Sequence, residues 1–185
     1  MRKAFVLAAL LVLVTGAAMA QDHPKAEIFG GYSYLRVNPG QGIKGDNIPG
    51  GWQASIAGNV NNWFGIAGDF SGHYGNPDFG TGVSVKTRVH TYTFGPRISY
   101  RNNDRVTPFA HVTFGGAHLS GPSIPSKNGF AMTLGGGVDA KVNDHFAIRI
   151  GQFDYILTRF DGPVSGKTAS QHNFRYSAGI VIRLP

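Results

Sequence analysis

The sequence predicts an all-β protein, an eight-stranded antiparallel up-and-down β-barrel that spans a membrane. Three observations predict this fold class: apolar and polar residues alternate from Glu27 onward, short and long connections alternate along the chain, and few lysines or glutamates occupy the polar positions. Strict alternation with a period of two is typical of β-strands that have one apolar face and one polar face.

The alternation divides the chain into eight segments, each of about ten residues or more, which suits a tilted membrane-spanning strand. In the sixth segment, for example, Phe130, Met132 and Leu134 share one face. The seventh segment loses its phase near Gly151 and Gln152, which indicates a β-bulge. The predicted strands are residues 27–37, 50–60, 63–73, 87–100, 106–118, 129–142, 145–157 and 172–184.

The connections between these segments are short and long in turn. The stretches "VNNWF", "YRNNDRV" and "VNDHF" are predicted to be tight turns, because Asn and Asp tolerate turn geometry. Transmembrane β-barrels show this asymmetry, with short turns on the periplasmic side and long loops outside. The long connections, rich in Gly, Pro, Ser and Asn, are predicted at 38–49, 74–86, 119–128 and 158–171.

The first twenty residues predict a cleaved Sec-type signal peptide. Arg2 and Lys3 precede an apolar run at 4–14, and the tripeptide at 18–20 has the small-x-small form of a cleavage site. A membrane anchor is the alternative, but the run is short for a span and no basic flank follows it. The expected division of the chain is a signal peptide at 1–20 and one barrel domain at 21–185.

The composition of the mature chain limits the chemistry that it can perform. Two of the 17 basic residues and none of the 10 acidic residues lie in the signal peptide, which leaves a mature net charge of +5. A net positive charge favours anionic partners. The sequence contains no basic cluster with interleaved aromatic residues, so nucleic-acid binding is not expected. The chain has no cysteine, which excludes a disulfide scaffold and thiolate chemistry.

Alternation alone does not show which face of each strand points into the barrel. A soluble periplasmic ligand-binding barrel would turn its apolar face inward, whereas a membrane barrel turns that face toward lipid. The mature chain has one glutamate, Glu27, and its polar faces carry mostly Gly, Ser and Thr, as a narrow lumen would. Aromatic residues at the strand ends predict two membrane-interface girdles, which include Trp52, Trp63, Phe64, Tyr100, Phe146 and Phe174.

A set of charged and polar side chains is predicted to point into the barrel. Buried charges must be paired, so we expect a network of Arg–Asp pairs that plugs the lumen and stabilises the barrel. A narrow pore is the alternative, and the excess of positive groups would favour anions. The predicted lumen residues are Asp69, Arg97, His111, Asp139, Lys141, Arg149, Arg175 and Arg183.

Two further patterns resemble ligand sites but lack the required spacing. The Gly-Lys-Thr at 166–168 would need a glycine at 161, where Asp161 stands, and a predicted strand rather than a helix follows it. We therefore expect no bound nucleotide. The seven histidines are scattered without metal-ligand spacing, so we expect neither a metal nor a cofactor.

The opening strand "EIFGGYSYL", the eight strands, the four long loops and the alternating final strand resemble the small bacterial outer-membrane β-barrel family, the OmpA-like transmembrane domain. The resemblance covers residues 21–185. It implies a porin-like barrel in a Gram-negative cell envelope, contact with outer-membrane lipid and lipopolysaccharide, and insertion by the barrel assembly machinery. It also implies a structural or surface-interaction role, with an extracellular ligand bound at the loops.

The sequence departs from that family at its end, where Leu184 and Pro185 stand in place of the usual aromatic residue. No peptidoglycan-binding domain is expected after the barrel. Some eight-stranded barrels are lipid A deacylases, which use a His-x-Ser pair with a glutamate, and His118-Leu119-Ser120 is similar to that pair. No acidic residue lies shortly downstream of the pair to orient the imidazole. We therefore expect that the protein is not an enzyme and has no catalytic residue. A lipid A-modifying enzyme ranks last among the alternative functions.

Overall fold

The computed structural model of the protein describes residues 23–38, 45–78, 82, 84, 86–103, 105–122, 124–160 and 169–185. The predicted signal peptide and the Gly-Lys-Thr at 166–168 lie outside the described residues. Within them no helix is long and apolar enough to cross a membrane. The strands are β1 (Ala26–Val37), β2 (Asp46–Ile48), β3 (Gly50–Asn59), β4 (Phe64–Gly75), β5 (Thr87–Ser99), β6 (Val106–Gly121), β7 (Ile124–Lys141), β8 (Phe146–Phe160) and β9 (Ala169–Leu184).

These strands form one antiparallel sheet that closes on itself between the first and the last strand. From β3 to β9 each strand pairs with the next, and β1 pairs with both β3 and β9. The outer end of β1 pairs with β2, which continues β3 beyond Pro49. Proline has no N–H to give to a ladder, which accounts for the break. Since β2 and β3 share one place in the wall, the predicted eight-stranded antiparallel barrel is confirmed.

The three predicted tight turns are confirmed, and each is stabilised by one asparagine. The side-chain oxygen of Asn61 accepts hydrogen bonds from the backbone N–H groups of Trp63 and Phe64 at 3.0 and 2.7 Å. Asn103 and Asn143 each accept two such bonds in the other turns. The side chain thus satisfies backbone donors that lie beyond the ladder.

The prediction of a long connection at 119–128 was wrong. β6 continues to Gly121 and β7 begins at Ile124, and the ladder between them pairs His118 with Asn128 and Leu119 with Lys127. The Gly, Pro and Ser residues of this segment indicated a loop, but the backbone hydrogen bonds of the neighbouring strand hold it in a hairpin. In the other three predicted connections, residues 39–44, 79–81, 83, 85 and 161–168 lie outside the described residues.

The barrel is apolar on its outer face and mainly polar inside. Large apolar side chains such as Phe94 and Ile150 are 63% and 60% exposed on the outer wall. Ser33, Thr113 and Ser177, by contrast, are fully buried inside. This distribution is the reverse of that in a soluble protein and is the one that a bilayer requires. Toward the loops the interior becomes apolar in a cluster that we call the loop-side cap: Leu35, Val37, Ile48, Val89 and Ile156.

Candidate functional site in the barrel interior

Six of the eight predicted lumen residues lie together inside the barrel, each at most 6% exposed. They come from six consecutive strands, β4 to β9, because inward positions alternate along every strand of the wall. The barrel therefore brings residues that are distant in sequence into one charged core. The six are Asp69, Arg97, His111, Asp139, Arg149 and Arg175.

The other two predicted lumen residues lie at the short-turn end. Lys141, the last residue of β7, is an exposed residue, so its assignment to the lumen was wrong. Its Nζ pairs with Asp144 at 2.7 Å in the turn that follows, because a lysine at a strand end can bend toward the aqueous side. The hydrogen bond from Lys141 holds the pKa of Asp144 below its usual value. Arg183 is partly buried, and its Nε lies 3.9 Å from a carboxylate oxygen of Glu27.

At mid-barrel lies a set that we call the central ion group: Asp69, His111, Asp154 and Arg175. The guanidinium of Arg175 donates to Asp154 from Nε at 2.9 Å and from Nη2 at 2.6 Å. The same Nη2 lies 2.8 Å from Asp69 on the other side of the lumen. His111 Nε2 approaches the second oxygen of Asp154 at 3.2 Å. Each of the two carboxylates is thus paired, as burial in a low-dielectric interior requires.

Nearer the short turns lies the turn-side ion group: Glu27, Arg97, Arg101, Asp139, Arg149 and Arg183. Arg149 makes a two-pronged contact with Asp139, from Nε to Oδ1 at 2.7 Å and from Nη2 to Oδ2 at 3.0 Å. Such bidentate pairs are the stronger kind of charge-assisted hydrogen bond. Arg97 Nη2 is shared between Glu27 at 3.1 Å and Asp139 at 3.3 Å.

Two links complete the interior. Gln152 accepts from Arg149 Nη1 at 2.7 Å and donates to Asp154 at 2.8 Å, so it joins the two ion groups. The guanidinium carbons of Arg97 and Arg149 lie 4.1 and 4.3 Å from the ring centroid of Phe109. The ring face is an electron-rich surface for both cations, which supplements the few carboxylates at this level.

Sequence reasoning missed Asp154, Gln152 and Glu27 as members of this core. The β-bulge predicted near Gly151 and Gln152 is confirmed, since the register shifts there against β9 and, close by, against β7. Before the bulge, Arg149 occupies an inward position. After the bulge, the extra residue shifts the alternation, so that Gln152 and Asp154 point inward. Carrying the alternation through the bulge with one added residue would have placed Asp154 inside.

The predicted interface aromatics lie on the outer face near the strand ends. Trp52, Trp63 and Tyr100 are 43%, 61% and 61% exposed. Phe146 and Phe174 are also exposed, and Phe64 is partly buried beside Trp63, with the two ring centroids 5.6 Å apart. Aromatic side chains in such positions suit the boundary between lipid tails and water.

His118 does not form the arrangement of a serine hydrolase. Its Nδ1 is hydrogen-bonded to the side-chain oxygen of Asn128 at 2.7 Å, so an amide rather than a carboxylate orients the ring. Among the described residues, no hydrogen bond joins His118 to Ser120, and no group of three His, Cys, Asp or Glu residues could hold a metal ion. The chemistry of nucleophilic attack requires a bonded hydroxyl–imidazole pair.

A closed barrel with an apolar exterior, Asn-stabilised short turns and an ion-paired interior defines the class of outer-membrane β-barrel proteins. The sequence matches the family model described as "Outer membrane protein beta-barrel domain" over residues 5–181, and the chain belongs to this family. A bacterial outer-membrane location follows from that membership. No curated protein sequence matches the chain significantly.

Solved structures show the same fold at low sequence identity. Neisserial surface protein A superposes with a TM-score of 0.65 at 10% identity, covering 89% of this chain and 100% of that chain. Ail, the attachment invasion locus protein of Yersinia pestis, gives 0.55 at 20% identity, covering 86% and 99%. The N-terminal barrel domain of Pseudomonas aeruginosa OprF gives 0.51 at 8% identity, covering 87% and 98%.

Proposed function

We propose that the protein is a plugged outer-membrane barrel with a structural or surface-interaction role, and that its lumen conducts neither ions nor solutes. The observation that carries this proposal is the charged core, in which Arg149 and Arg175 are each at most 2% exposed and bonded to carboxylates. An eight-stranded barrel encloses little more than its own side chains. Ion pairs hold distant parts of the wall together across the lumen, so we expect no continuous water path.

The loop-side cap supports the same function by a second mechanism. Ile48 and Ile156 are at most 1% exposed, and they pack with Leu35, Val37 and Val89 across the loop-side mouth. Hydrophobic constrictions exclude ions because water does not readily fill them. The interior therefore has an apolar barrier above its ion-paired core.

Single-channel recording tests this function on refolded mature protein in planar lipid bilayers. We expect no steady conductance steps. Insertion is verified on the same preparation by a heat-dependent shift in gel mobility, which a closed SDS-resistant barrel shows. Reproducible steps from heat-modifiable protein, absent after boiling, would overturn the plugged lumen.

A narrow anion-favouring pore is the second candidate function, and one observation favours it. Glu27 is the common partner of three guanidinium groups, with Arg97 at 3.1 Å, Arg101 at 3.4 Å and Arg183 at 3.9 Å. A single carboxylate cannot neutralise three cations, so the short-turn mouth has a positive excess. In the recordings described above, this function predicts steps whose reversal potential in a salt gradient indicates anion preference.

The outer face offers contacts for the lipid partners that we propose, outer-membrane lipid and lipopolysaccharide. Arg36, Arg88 and Arg159 are exposed, point away from the lumen and lie at the loop ends of β1, β5 and β8. Cations at this level lie where the outer leaflet carries its phosphates. Replacing all three by Gln should weaken lipopolysaccharide binding to the purified protein, whereas Arg105→Gln in a short turn should leave it unchanged.

The surface-interaction role extends to an extracellular ligand at the loop end of the barrel. Ail was also solved with the heparin analogue sucrose octasulfate, a polyanion. The mature net charge of +5 makes an anionic ligand the chemistry that we propose here. Binding of heparin to cells that display the protein, lost when salt is raised, is the expected result. Binding that is unaffected by salt would contradict an electrostatic ligand.

The proposed export route is cleavage of residues 1–20 followed by insertion through the barrel assembly machinery. The sequence pattern of the leader supports this route. Mass spectrometry of the protein from an outer-membrane fraction should give an N-terminus at Gln21. We propose no enzymatic activity, and a preparation that removes an acyl chain from lipid A, with the activity lost in His118→Ala, would contradict this.

A further inference from the structure

The two ion groups of the interior have opposite charge imbalances. The turn-side ion group holds four guanidinium groups and two carboxylates, whereas the central ion group holds Arg175 against Asp69 and Asp154. Positive charge therefore exceeds negative charge between mid-barrel and the short turns. Buried cations without enough carboxylates require another source of negative charge.

Arg97 shows this shortage most directly. Both of its ion pairs, with Glu27 and Asp139, involve the single nitrogen Nη2. Its Nε is buried, in a residue that is only 3% exposed, and has no hydrogen-bond partner among the described residues. Buried donors are nearly always bonded to protein or to an ordered solvent species, so this group indicates an additional acceptor.

A small internal cavity adjoins these cations. Arg97, Arg149 and His111 form one part of its lining, and the hydroxyl-bearing Ser55 and Thr113 form another. Its free space suits one small occupant, such as a water molecule or a monatomic ion. Asp69 also lies on the lining, where it is paired with Arg175 at 2.8 Å.

We propose that this cavity is a binding site for one small inorganic anion of the halide type. A halide would be attracted by the two guanidinium groups and would accept hydrogen bonds from hydroxyl and N–H donors. Water could fill the same volume but would leave the positive excess unbalanced. The cavity is too small for phosphate or sulfate. This site goes beyond the plugged-barrel function, since a bound anion would complete the interior plug rather than pass through it.

The site is tested by thermal unfolding of the refolded mature protein in a non-ionic detergent. Sodium chloride or bromide replaces sodium gluconate stepwise at constant ionic strength. We expect the halides to raise the unfolding temperature in a saturable way, and sulfate at equal ionic strength to have no such effect. An equal response to all these anions would mean a non-specific effect of anions on the protein surface, which would overturn the site.

Two variants and one direct measurement localise the effect. Ser55→Ala removes a hydroxyl of the lining and keeps every charge, and it should weaken the halide response, whereas Arg105→Gln in a short turn should retain it. Crystals soaked in bromide should show an anomalous peak in the cavity beside Arg97. Ordered water there with no bromide signal would overturn the proposal. The plugged lumen is tested separately. A halide current across bilayers would contradict the plug but not the anion site, because a bound anion does not need to move through the barrel.

Discussion

Asp154 and Arg175 lie directly opposite each other on the neighbouring strands β8 and β9, and the guanidinium donates twice to one carboxylate oxygen, Asp154 Oδ2. Arg175 also contacts Asp69 on β4, a strand that does not adjoin β9. One fully buried side chain therefore connects neighbouring and distant parts of the wall. This residue is the centre of the interior network.

Arg175→Gln should destabilise the barrel by about 3–5 kcal/mol, because it leaves two buried carboxylates without their cation. The measurement is equilibrium unfolding in urea or guanidinium chloride of protein refolded in lipid vesicles. Arg88→Gln, at an exposed position on β5, is the matched control and should change stability by at most about 0.5 kcal/mol. A loss below about 1 kcal/mol in Arg175→Gln would contradict the central role of this residue.

Adding Asp154→Asn to Arg175→Gln should restore part of the lost stability. The second change removes a buried negative charge that the first leaves unpaired, so the two effects are not additive. The comparison of both single variants with the double variant gives the coupling free energy. Simple addition of the two losses would show that the residues do not interact in the folded barrel.

Gly135→Ala should destabilise the barrel by about 1–3 kcal/mol, as an added methyl group does in a packed interior. A Cβ at Gly135 would overlap the Asp154 carboxylate and force it away from Arg175. Gly30→Ala is the control, because a Cβ at that outward-facing position meets no atom within 4 Å. Equal effects of the two substitutions in the unfolding experiment would mean that the interior tolerates the extra volume.

Phe94→Lys should cost about 2–4 kcal/mol if the outer wall is embedded in lipid, whereas a lysine close to the membrane interface costs about 0–1 kcal/mol. Phe94 is 63% exposed at mid-barrel, and Tyr100 is 61% exposed beside a short turn, so Tyr100→Lys is the control. The measurement is folding into vesicles of defined lipid. If Phe94→Lys folded as well as the wild type, the outer wall would be in water.

Asn61→Ala should destabilise the first short turn by about 1–2 kcal/mol, because two backbone N–H groups lose their acceptor. Asn62→Ala in the same turn is the matched control, since the bond that Asn62 accepts from Arg101 involves its backbone oxygen. Both variants are compared by unfolding in vesicles. A loss in Asn62→Ala as large as that in Asn61→Ala would show that the asparagine acceptor is unimportant.

Most of the wall could be predicted from the sequence because alternation is a local property. The face of residues such as Phe94 follows from two-residue spacing, and the turn at Asn61 follows from local side-chain chemistry. The hairpin at 119–128 could not be predicted, because pairing between β6 and β7 stabilises a segment whose composition favours a loop. Asp154 could not be assigned to the interior without knowing that the bulge adds one residue.

The partners within the charged core were less predictable than its members. Opposite charges indicate that pairs will form, but only the curvature and stagger of the barrel decide that Arg175 reaches Asp69 rather than another carboxylate. Lys141, at a strand end, was difficult to assign for a similar reason. Alternation predicted that its side chain points inward, but the flexible side chain bends to form an ion pair with Asp144 in the turn.

The seam between β1 and β9 has a consequence for the order in which the chain can fold. Its two edges are the first and last strands of the barrel, and eleven residues of β1 pair across it, from Ala26 to Arg36. Until β9 has been synthesised and delivered, the β1 edge has no such partner, and an unpaired strand edge is prone to aggregation. The barrel therefore closes only after β9 has been delivered, and the strands that precede it must be kept from self-association until then.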